Sequence, residues 1–315
     1  MNMTILSPGP LSTIQDVGRF GAMGMGFSPG GVMDSRSMQL ANLLVGNAAG
    51  VGVVEMTMAG LTARFDCDCV IALTGADMCA RLEEQMVKRY QAISVHAGDT
   101  LRMQTAQHGM RAYLAVAGGF DLPTVMGSMS TNLKCRLGGF HGRKLQRGDV
   151  LPLNQSLSLN EPGKCLPIPE EYPEEVKLRV LLGPQEDAFT RQGLFTFLNE
   201  TYTVTDQADR MGIRLSGAKI DSKSGVDIIS DGIATGSIQI PASGTPIIMM
   251  ADRQTTGGYA KIATVISADL PIAAQVRPGT RIRFAQVSEQ EAVRLRRESV
   301  RQMRQWEYEM LYCSK

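Results

Sequence analysis

The sequence predicts a mostly β protein with short helices, built as two related β domains in tandem and closed by a C-terminal helix. Three observations carry this. Short apolar runs recur at close spacing between turn residues, as in a barrel or a sandwich. A strand-and-turn pattern occurs twice, as Val95-His96-Ala97-Gly98-Asp99-Thr100-Leu101-Arg102 and as Val276-Arg277-Pro278-Gly279-Thr280-Arg281-Ile282-Arg283, each trailing a strong apolar run (Val70–Leu73, Ile247–Met250). Between the two halves lies a polar stretch, Asn154–Glu175, with Pro162, Pro167, Pro169 and Pro173, which reads as a linker or a surface crossover. The expected domains are 1–165 and 176–315, the second including the C-terminal helix.

Composition agrees and excludes several function classes. The 33 glycines among 315 residues suit many tight turns, and the 19 methionines suit core gaps. A net charge of +1 without a basic stripe argues against nucleic-acid binding. No apolar run approaches the ~18 residues of a membrane helix. Met1-Asn2-Met3-Thr4 lacks the charged-then-apolar pattern of a secretory signal, so a cytoplasmic location is expected. Cys67, Cys69, Cys79, Cys135, Cys165 and Cys313 form no C-x-x-C pair and read as free thiols of a reducing compartment. His96, His108 and His141 show no ligand spacing, so no metal site is expected.

Taken in order, Ile5–Gly26 contains Pro8-Gly9-Pro10 and then Ser12–Gly21, where Gln15, Asp16 and Arg19 form a compact donor and acceptor set; an Asp–Arg pair bracing a loop is the simplest use for it. After the Gly/Pro loop Ser28–Met33, Asp34 stands as a helix N-cap, Met38, Ala41, Leu44 and Val45 follow at helical spacing, and Gly46-Asn47 ends a helix over Ser35–Val45. Asn42 within it has no packing role. Strands are expected at Val53–Met58, Leu61–Phe65, Val70–Thr74, Ser94–Val95, Thr100–Met103 and Arg111–Val116. Glu55 sits among apolar residues and needs a partner, for which Arg19 is one candidate. Gly118–Gly148 has low regularity; a functional Gly-rich loop and a structural crossover both fit. Past the linker, Val176–Leu182 and Tyr202–Thr205 read as strands, Gln185–Leu198 as a helix, and Ser288 with Glu291 as the capping box of the last helix.

The candidate site lies in Pro246–Ala263. The apolar run Pro246–Ala251 fits a buried strand that stops on Asp252, and Arg253-Gln254-Thr255-Thr256-Gly257-Gly258-Tyr259 follows before apolar character resumes at Ile262. A rigid strand carrying a polar, Gly-rich loop is a common way to build a small-molecule site. Asp209-Arg210-Met211-Gly212 echoes Asp16–Gly21, and alternation over Gly236–Pro241 sets Ser237 and Gln239 on one face. Candidate catalytic residues are Asp252, Gln254 and Arg210. Candidate substrate-binding residues are Gln239, Thr255, Thr256, Tyr259, Asp16 and Arg19. Arginine suits a planar anion, glutamine suits an amide, and a buried aspartate suits proton transfer. A plain Arg210–Asp252 brace at the barrel mouth is the alternative.

Seven stretches together carry a resemblance: Thr13–Gly21 (TIQDVGRFG), Ala41–Asn47 (ANLLVGN), Gly109–Gly119 (GMRAYLAVAGG), Gly127–Thr131 (GSMST), Asp209–Leu215 (DRMGIRL), Gly236–Pro241 (GSIQIP) and Asp252–Tyr259 (DRQTTGGY). In these the sequence resembles the KipA or allophanate-hydrolase-subunit-2-like family, whose enzymatic members include the C subunit of 5-oxoprolinase and whose module recurs in the carboxyltransferase part of urea carboxylase. The one small departure is Ala260, where Pro often follows Gly-Gly-Tyr. The resemblance implies two tandem cyclophilin-like β-barrel domains. It implies a role in an ATP-dependent 5-oxoprolinase that opens 5-oxo-L-proline to L-glutamate, beside two further components, a KipI-like B component and an A component. The sequence holds no G-x-x-x-x-G-K-[ST] loop, so which component of the complex binds ATP stays open. Two other roles follow from the same family: a KipA-like regulator of a kinase-inhibitor partner, and a carboxyltransferase component acting on urea or another small amide. The chain has no Met-Lys-Met biotinylation site, so the last role needs a separate carrier.

Overall fold

The structure is a computed structural model that describes residues 1–155, 163–167 and 172–312. Residues 156–162 and 168–171 of the expected linker, and Cys313, lie outside the described residues. The chain divides into two compact units, one formed by Met1–Phe20, Gly30–Glu171 and Arg304–Lys315, the other by Gly21–Pro29 and Tyr172–Met303.

The first unit holds strands β1 (Asn2–Ser7), β2 (Leu11–Gln15), β3 (Val53–Thr57), β4 (Thr62–Phe65), β5 (Cys69–Asp77), β6 (Arg81–Leu82), β7 (Gln85–Met86), β8 (Ala92–Val95), β9 (Thr100–Arg102), β10 (His108–Val116) and β11 (Val150–Pro152), with helix α1 (Ser35–Leu44). They form a six-stranded sheet, β11-β1-β4-β9-β6-β7, and a five-stranded sheet, β2-β3-β10-β5-β8. One core lies between them, with Met3, Ile5, Phe65 and Leu101 from the first sheet against Ile14, Val54, Met56, Ile71, Leu73 and Leu114 from the second. Each strand places alternate residues there because side chains alternate across a pleated strand. β5 and β10 are instead buried along nearly their whole length, because α1 packs on both and covers their other face.

A first closed barrel was expected here, and the unit is two open sheets. The reason lies at the free edge of β2. Ile14 O accepts from Thr131 N at 2.9 Å, Ser12 O accepts from Leu145 N at 2.9 Å, and Asp16 N donates to Ser130 Oγ at 2.9 Å. The irregular 127–145 segment thus satisfies the edge groups that another strand would otherwise take. β10 also carries a register shift against β5 between His108 and Ala112, where Gly75 has φ +79° and a Cβ would meet Arg111 O at 2.3 Å.

Helix α1 starts as expected: Asp34 Oδ1 accepts Ser37 N at 3.0 Å. Asn42 has a role after all. Its Nδ2 donates to Val51 O at 2.8 Å, its Oδ1 accepts from Asn47 Nδ2 at 3.0 Å, and Asn47 reaches Val116 O at 2.9 Å and Gly118 N at 2.8 Å. The paired amides tie the end of α1 to the end of β10. Glu55 is held by Met33 N at 2.7 Å and Tyr113 Oη–H at 2.9 Å rather than by Arg19. Burial, with Glu55 and Asp34 close by, pushes the Tyr113 phenol well above its ordinary pKa.

The second unit contains β12 (Glu175–Leu182), α2 (Arg191–Asn199), β13 (Tyr202–Val204), β14 (Gly212–Ser216), β15 (Asp227–Gly232), β16 (Ser237–Gln239), β17 (Ile247–Met249), β18 (Thr256–Tyr259), β19 (Lys261–Val265), α3 (Leu270–Ala273) and β20 (Arg281–Gln286). Seven strands close a barrel in the order β12-β19-β16-β17-β14-β13-β20, sealed by the parallel pair β12–β20. β15 and β18 make a separate ribbon. The helix expected over Gln185–Leu198 is broken. A short turn, Glu186–Ala188, ends on extended Phe189, and α2 restarts with Thr190 Oγ1 accepting Gly193 N at 2.9 Å. Phe197 of α2 stacks on Phe284 of β20, with ring centroids 4.6 Å apart. Helix α4 (Glu289–Tyr312) begins with Ser288 Oγ accepting Glu291 N at 3.2 Å, while the Glu291 carboxylate turns to Arg294.

The repeated pattern builds the same turn in both units. His96 N donates to Asp99 Oδ2 at 2.8 Å and Arg277 N to Thr280 Oγ1 at 3.2 Å, around Gly98 and Gly279, both with positive φ. A third copy, unnoticed in the sequence, runs through Gln146–Asp149: Gln146 N donates to Asp149 Oδ2 at 2.8 Å around Gly148. Each copy delivers the chain into a strand, β9, β20 or β11.

Candidate functional site

In the second unit, Asp252 follows β17 and Arg210 precedes β14, the strand paired to β17. Backbone and side chains join the two segments. Asp252 N donates to Arg210 O at 2.9 Å, Arg210 Nε to Asp252 Oδ2 at 2.8 Å, and Arg210 Nη2 to Asp252 Oδ1 at 3.0 Å. Both carboxylate oxygens therefore face one guanidinium, on an Arg210 side chain that is 6% exposed. This is the bracing arrangement, with Asp252 holding Arg210 and the loop behind it.

The other loop residues divide. Gln254 is exposed, as are Thr256 and Tyr259 on β18, and Thr255 is half-buried with its carbonyl accepting Ile233 N at 3.0 Å. Gln239 is buried on β16, and its Nε2 donates to Tyr259 O at 3.3 Å. Gln239 is thus drawn to the β18 ribbon rather than to Asp252.

Three residues of this region escaped sequence reasoning. Lys261, 3% exposed, is the register partner of Gln239. Its Nζ reaches Asp231 Oδ2 at 2.7 Å and Gly232 O at 3.2 Å. Lys261, followed by Gly232 N–H, holds the Asp231 carboxyl below the usual carboxylate range. Arg253 is buried on backbone carbonyls, with Nε on Ile233 O at 2.9 Å, and burial lowers its pKa. The signal for Lys261 was present in the sequence, as a cation directly before the apolar run that begins at Ile262.

In the first unit Asp16 and Arg19 do not pair. Asp16 Oδ1 accepts from Gly18 N at 2.8 Å, Ser128 Oγ at 2.6 Å and Ser130 Oγ at 2.5 Å, and Oδ2 accepts from Met129 N at 2.6 Å. That carboxylate organises the 128–130 loop. Arg19 is fully buried and donates from Nη2 to Ser130 O at 2.5 Å. The two side chains share Ser130, one by its hydroxyl and the other by its carbonyl. Among the described residues no group of three or more His, Cys, Asp or Glu has a metal-binding arrangement, and no helix is long and apolar enough to cross a membrane.

The architecture is mostly β, with one closed barrel beside open sheets, and its sequence matches a carboxyltransferase-type module. The family model described as carboxyltransferase domain, subdomain A and B, matches residues 25–286, and the chain belongs to that family. Within it, the chain is 41% identical to the C subunit of 5-oxoprolinase from Haemophilus influenzae, over 91% of this chain and 92% of the relative. It is 39% identical to the C subunit of 5-oxoprolinase from Escherichia coli, over 96% and 97%. The solved Kluyveromyces lactis urea amidolyase superposes with a TM-score of 0.91 at 31% identity, over 97% of this chain and 20% of that one.

Proposed function

We propose that the chain is one component of an ATP-dependent 5-oxoprolinase that opens 5-oxo-L-proline to L-glutamate. The observation that carries this is the 41% and 39% identity to two such proteins across nearly the whole of both chains. The urea amidolyase likeness favours a second reading, a carboxyltransferase acting on urea or another small amide. It is the weaker one, because the identity is lower and the chain spans only 20% of that protein.

The chemistry needs help from ATP. A five-membered lactam carbonyl is a poor electrophile, and phosphorylating its oxygen with ATP activates the carbon. Water adds to it, the ring C–N bond breaks with the nitrogen leaving as the amine, and a second water hydrolyses the resulting acyl phosphate to glutamate and phosphate. The chain carries no G-x-x-x-x-G-K-[ST] loop, and ATP is used by the assembled complex with a KipI-like B component and an A component, whichever of the three binds it. This chain contributes polar groups on rigid strands. Gln239 and Gln254 supply amide donors and acceptors, Thr255 and Thr256 hydroxyls, and Lys261 a buried cation. Arg210 and Asp252 act as a pair that fixes the 252–259 loop. Asp252 positions that loop instead of taking a proton.

Deleting the gene in its own host tests the reading. The deletion strain should accumulate 5-oxoproline and fail to grow with it as sole nitrogen source. Normal growth and no accumulation would overturn it and favour the regulator.

A further inference from the structure

Arg19 poses a physical problem that its place in the fold does not solve. Its side chain is fully buried, and its Nε and Nη1 have no hydrogen-bond partner. Only Nη2 is used, on Ser130 O. The nearest acid in sequence, Asp16, has its carboxylate occupied by Gly18, Ser128, Met129 and Ser130. A guanidinium buried without a counter-charge is among the more costly groups a protein can carry. Gln15 adds the complementary defect. Its Nε2 donates to Thr13 Oγ1 at 3.0 Å and Thr131 O at 3.1 Å, and its Oε1, also buried, accepts nothing. Both side chains hang on consecutive carbonyls, Ser130 and Thr131, of one loop. Gly138 closes that loop from behind, since a Cβ there would stand 2.8 Å from Arg19 Nη2 and 2.2 Å from Ser130 O.

The unmet groups are charged donors on Arg19 and a neutral acceptor on Gln15. The ligand that satisfies both has negative oxygens for the first and a hydrogen-bond donor for the second. We propose that Gln15 and Arg19 form a binding site for a small planar carboxylate that carries an O–H or N–H donor beside it. Two molecules share that chemistry: 5-oxo-L-proline, with a lactam N–H next to its carboxylate, and bicarbonate, with an O–H. The first rests on the 5-oxoprolinase reading above; the second does not. A neutral amide lacks the charge that the buried guanidinium calls for.

The test is binding to the full chain without ATP or companion proteins, so its outcome is separate from any glutamate release. Calorimetry and thermal unfolding are run with 5-oxo-L-proline, its lactone analogue (ring oxygen for N–H), 2-pyrrolidinone (no carboxylate) and bicarbonate. The wild type should bind 5-oxo-L-proline or bicarbonate and ignore 2-pyrrolidinone. Arg19→Gln should weaken binding by about tenfold or more, the loss of one charge-assisted contact. Arg19→Lys should rescue it only in part. If Arg19→Gln does not fold, Gln15→Leu decides. It should retain carboxylate binding but lose the preference for the lactam over the lactone, or in the bicarbonate case weaken binding. The proposal is overturned if neither probe binds the wild type, as when ordered water alone meets these groups, or if Arg19→Gln and Gln15→Leu bind as the wild type does.

Discussion

Asp252→Asn separates a bracing role from a catalytic one. The substitution keeps the shape and removes the charge facing Arg210. Removing one partner of a fully buried ion pair costs about 3–5 kcal/mol, because the other charge is left uncompensated. Two features reduce that here. The Asp252 side chain is 16% exposed, so water reaches it. Asparagine also keeps one oxygen that can accept from Nε or Nη2. About 2 kcal/mol remains, which for a chain segment of roughly 150 residues lowers the melting temperature by about 4–8 °C. Thermal and urea unfolding of the purified chain measure it. The double variant Arg210→Met with Asp252→Leu should recover part of the loss, since no buried charge is then stranded. A melting temperature within about 1 °C of wild type for Asp252→Asn, with glutamate release by the assembled complex abolished, would refute the bracing account and make Asp252 a proton acceptor.

Other outcomes follow from the same geometry. Asp16→Ala strands the donors of Gly18, Ser128, Met129 and Ser130, and should cost about 3–5 kcal/mol in urea unfolding, as hydrogen bonds to a charged group are worth about 1.5–3 kcal/mol each and do not add fully. For Asp149, burial raises the pKa but Arg143 and Gln146 N–H outweigh it, so the folded carboxyl titrates below its unfolded value. Its stabilisation is present above an unfolded pKa of about 3.9 and is lost as the pH falls through the lower folded value. The stability gap between wild type and Asp149→Asn should therefore be constant from neutral pH to about 5 and vanish in strong acid. The Cys69 thiol is pushed up to about 12, by burial first and the Cys67 thiol next, so iodoacetamide at pH 8 should label the exposed Cys135 well before Cys69, as read by peptide mass.

Local order was legible in the sequence and long-range pairing was not. The caps at Asp34 and Ser288 are fixed by residues within one helical turn and were legible, although Glu291 of the expected capping box turns to Arg294 instead of back to Ser288. Apolar runs located β3, β4 and β5, since burial on a rigid strand leaves a pattern in the residues themselves. β1 and β2 were not read as strands, because Pro8-Gly9-Pro10 and the glycines after Asp16 dominate that stretch. An open first unit was invisible too. It depends on the 127–145 segment meeting the edge of β2 more than 100 residues away in sequence, as with Thr131 N on Ile14 O, |i−j| 117 for their side-chain bond. The candidate site followed the same rule. For Arg210 and Asp252 the sequence left a catalytic pair and a plain brace both open, and the coordinates show that each engages the other. Asp16 and Arg19 look like a pair in sequence, but the hydroxyls and amides of 128–130 reach the carboxylate instead.

Glutamate release from 5-oxo-L-proline tests the central claim most directly. The chain is purified alone and also co-expressed with the proposed B and A components from the same source. Each preparation is given ATP and 5-oxo-L-proline, and glutamate and ADP are measured together. The account predicts no glutamate from the chain alone, glutamate and ADP from the three-component assembly, and none when this chain is left out. Turnover by the isolated chain, or an assembly that makes no glutamate yet consumes ATP with urea and bicarbonate, would contradict it.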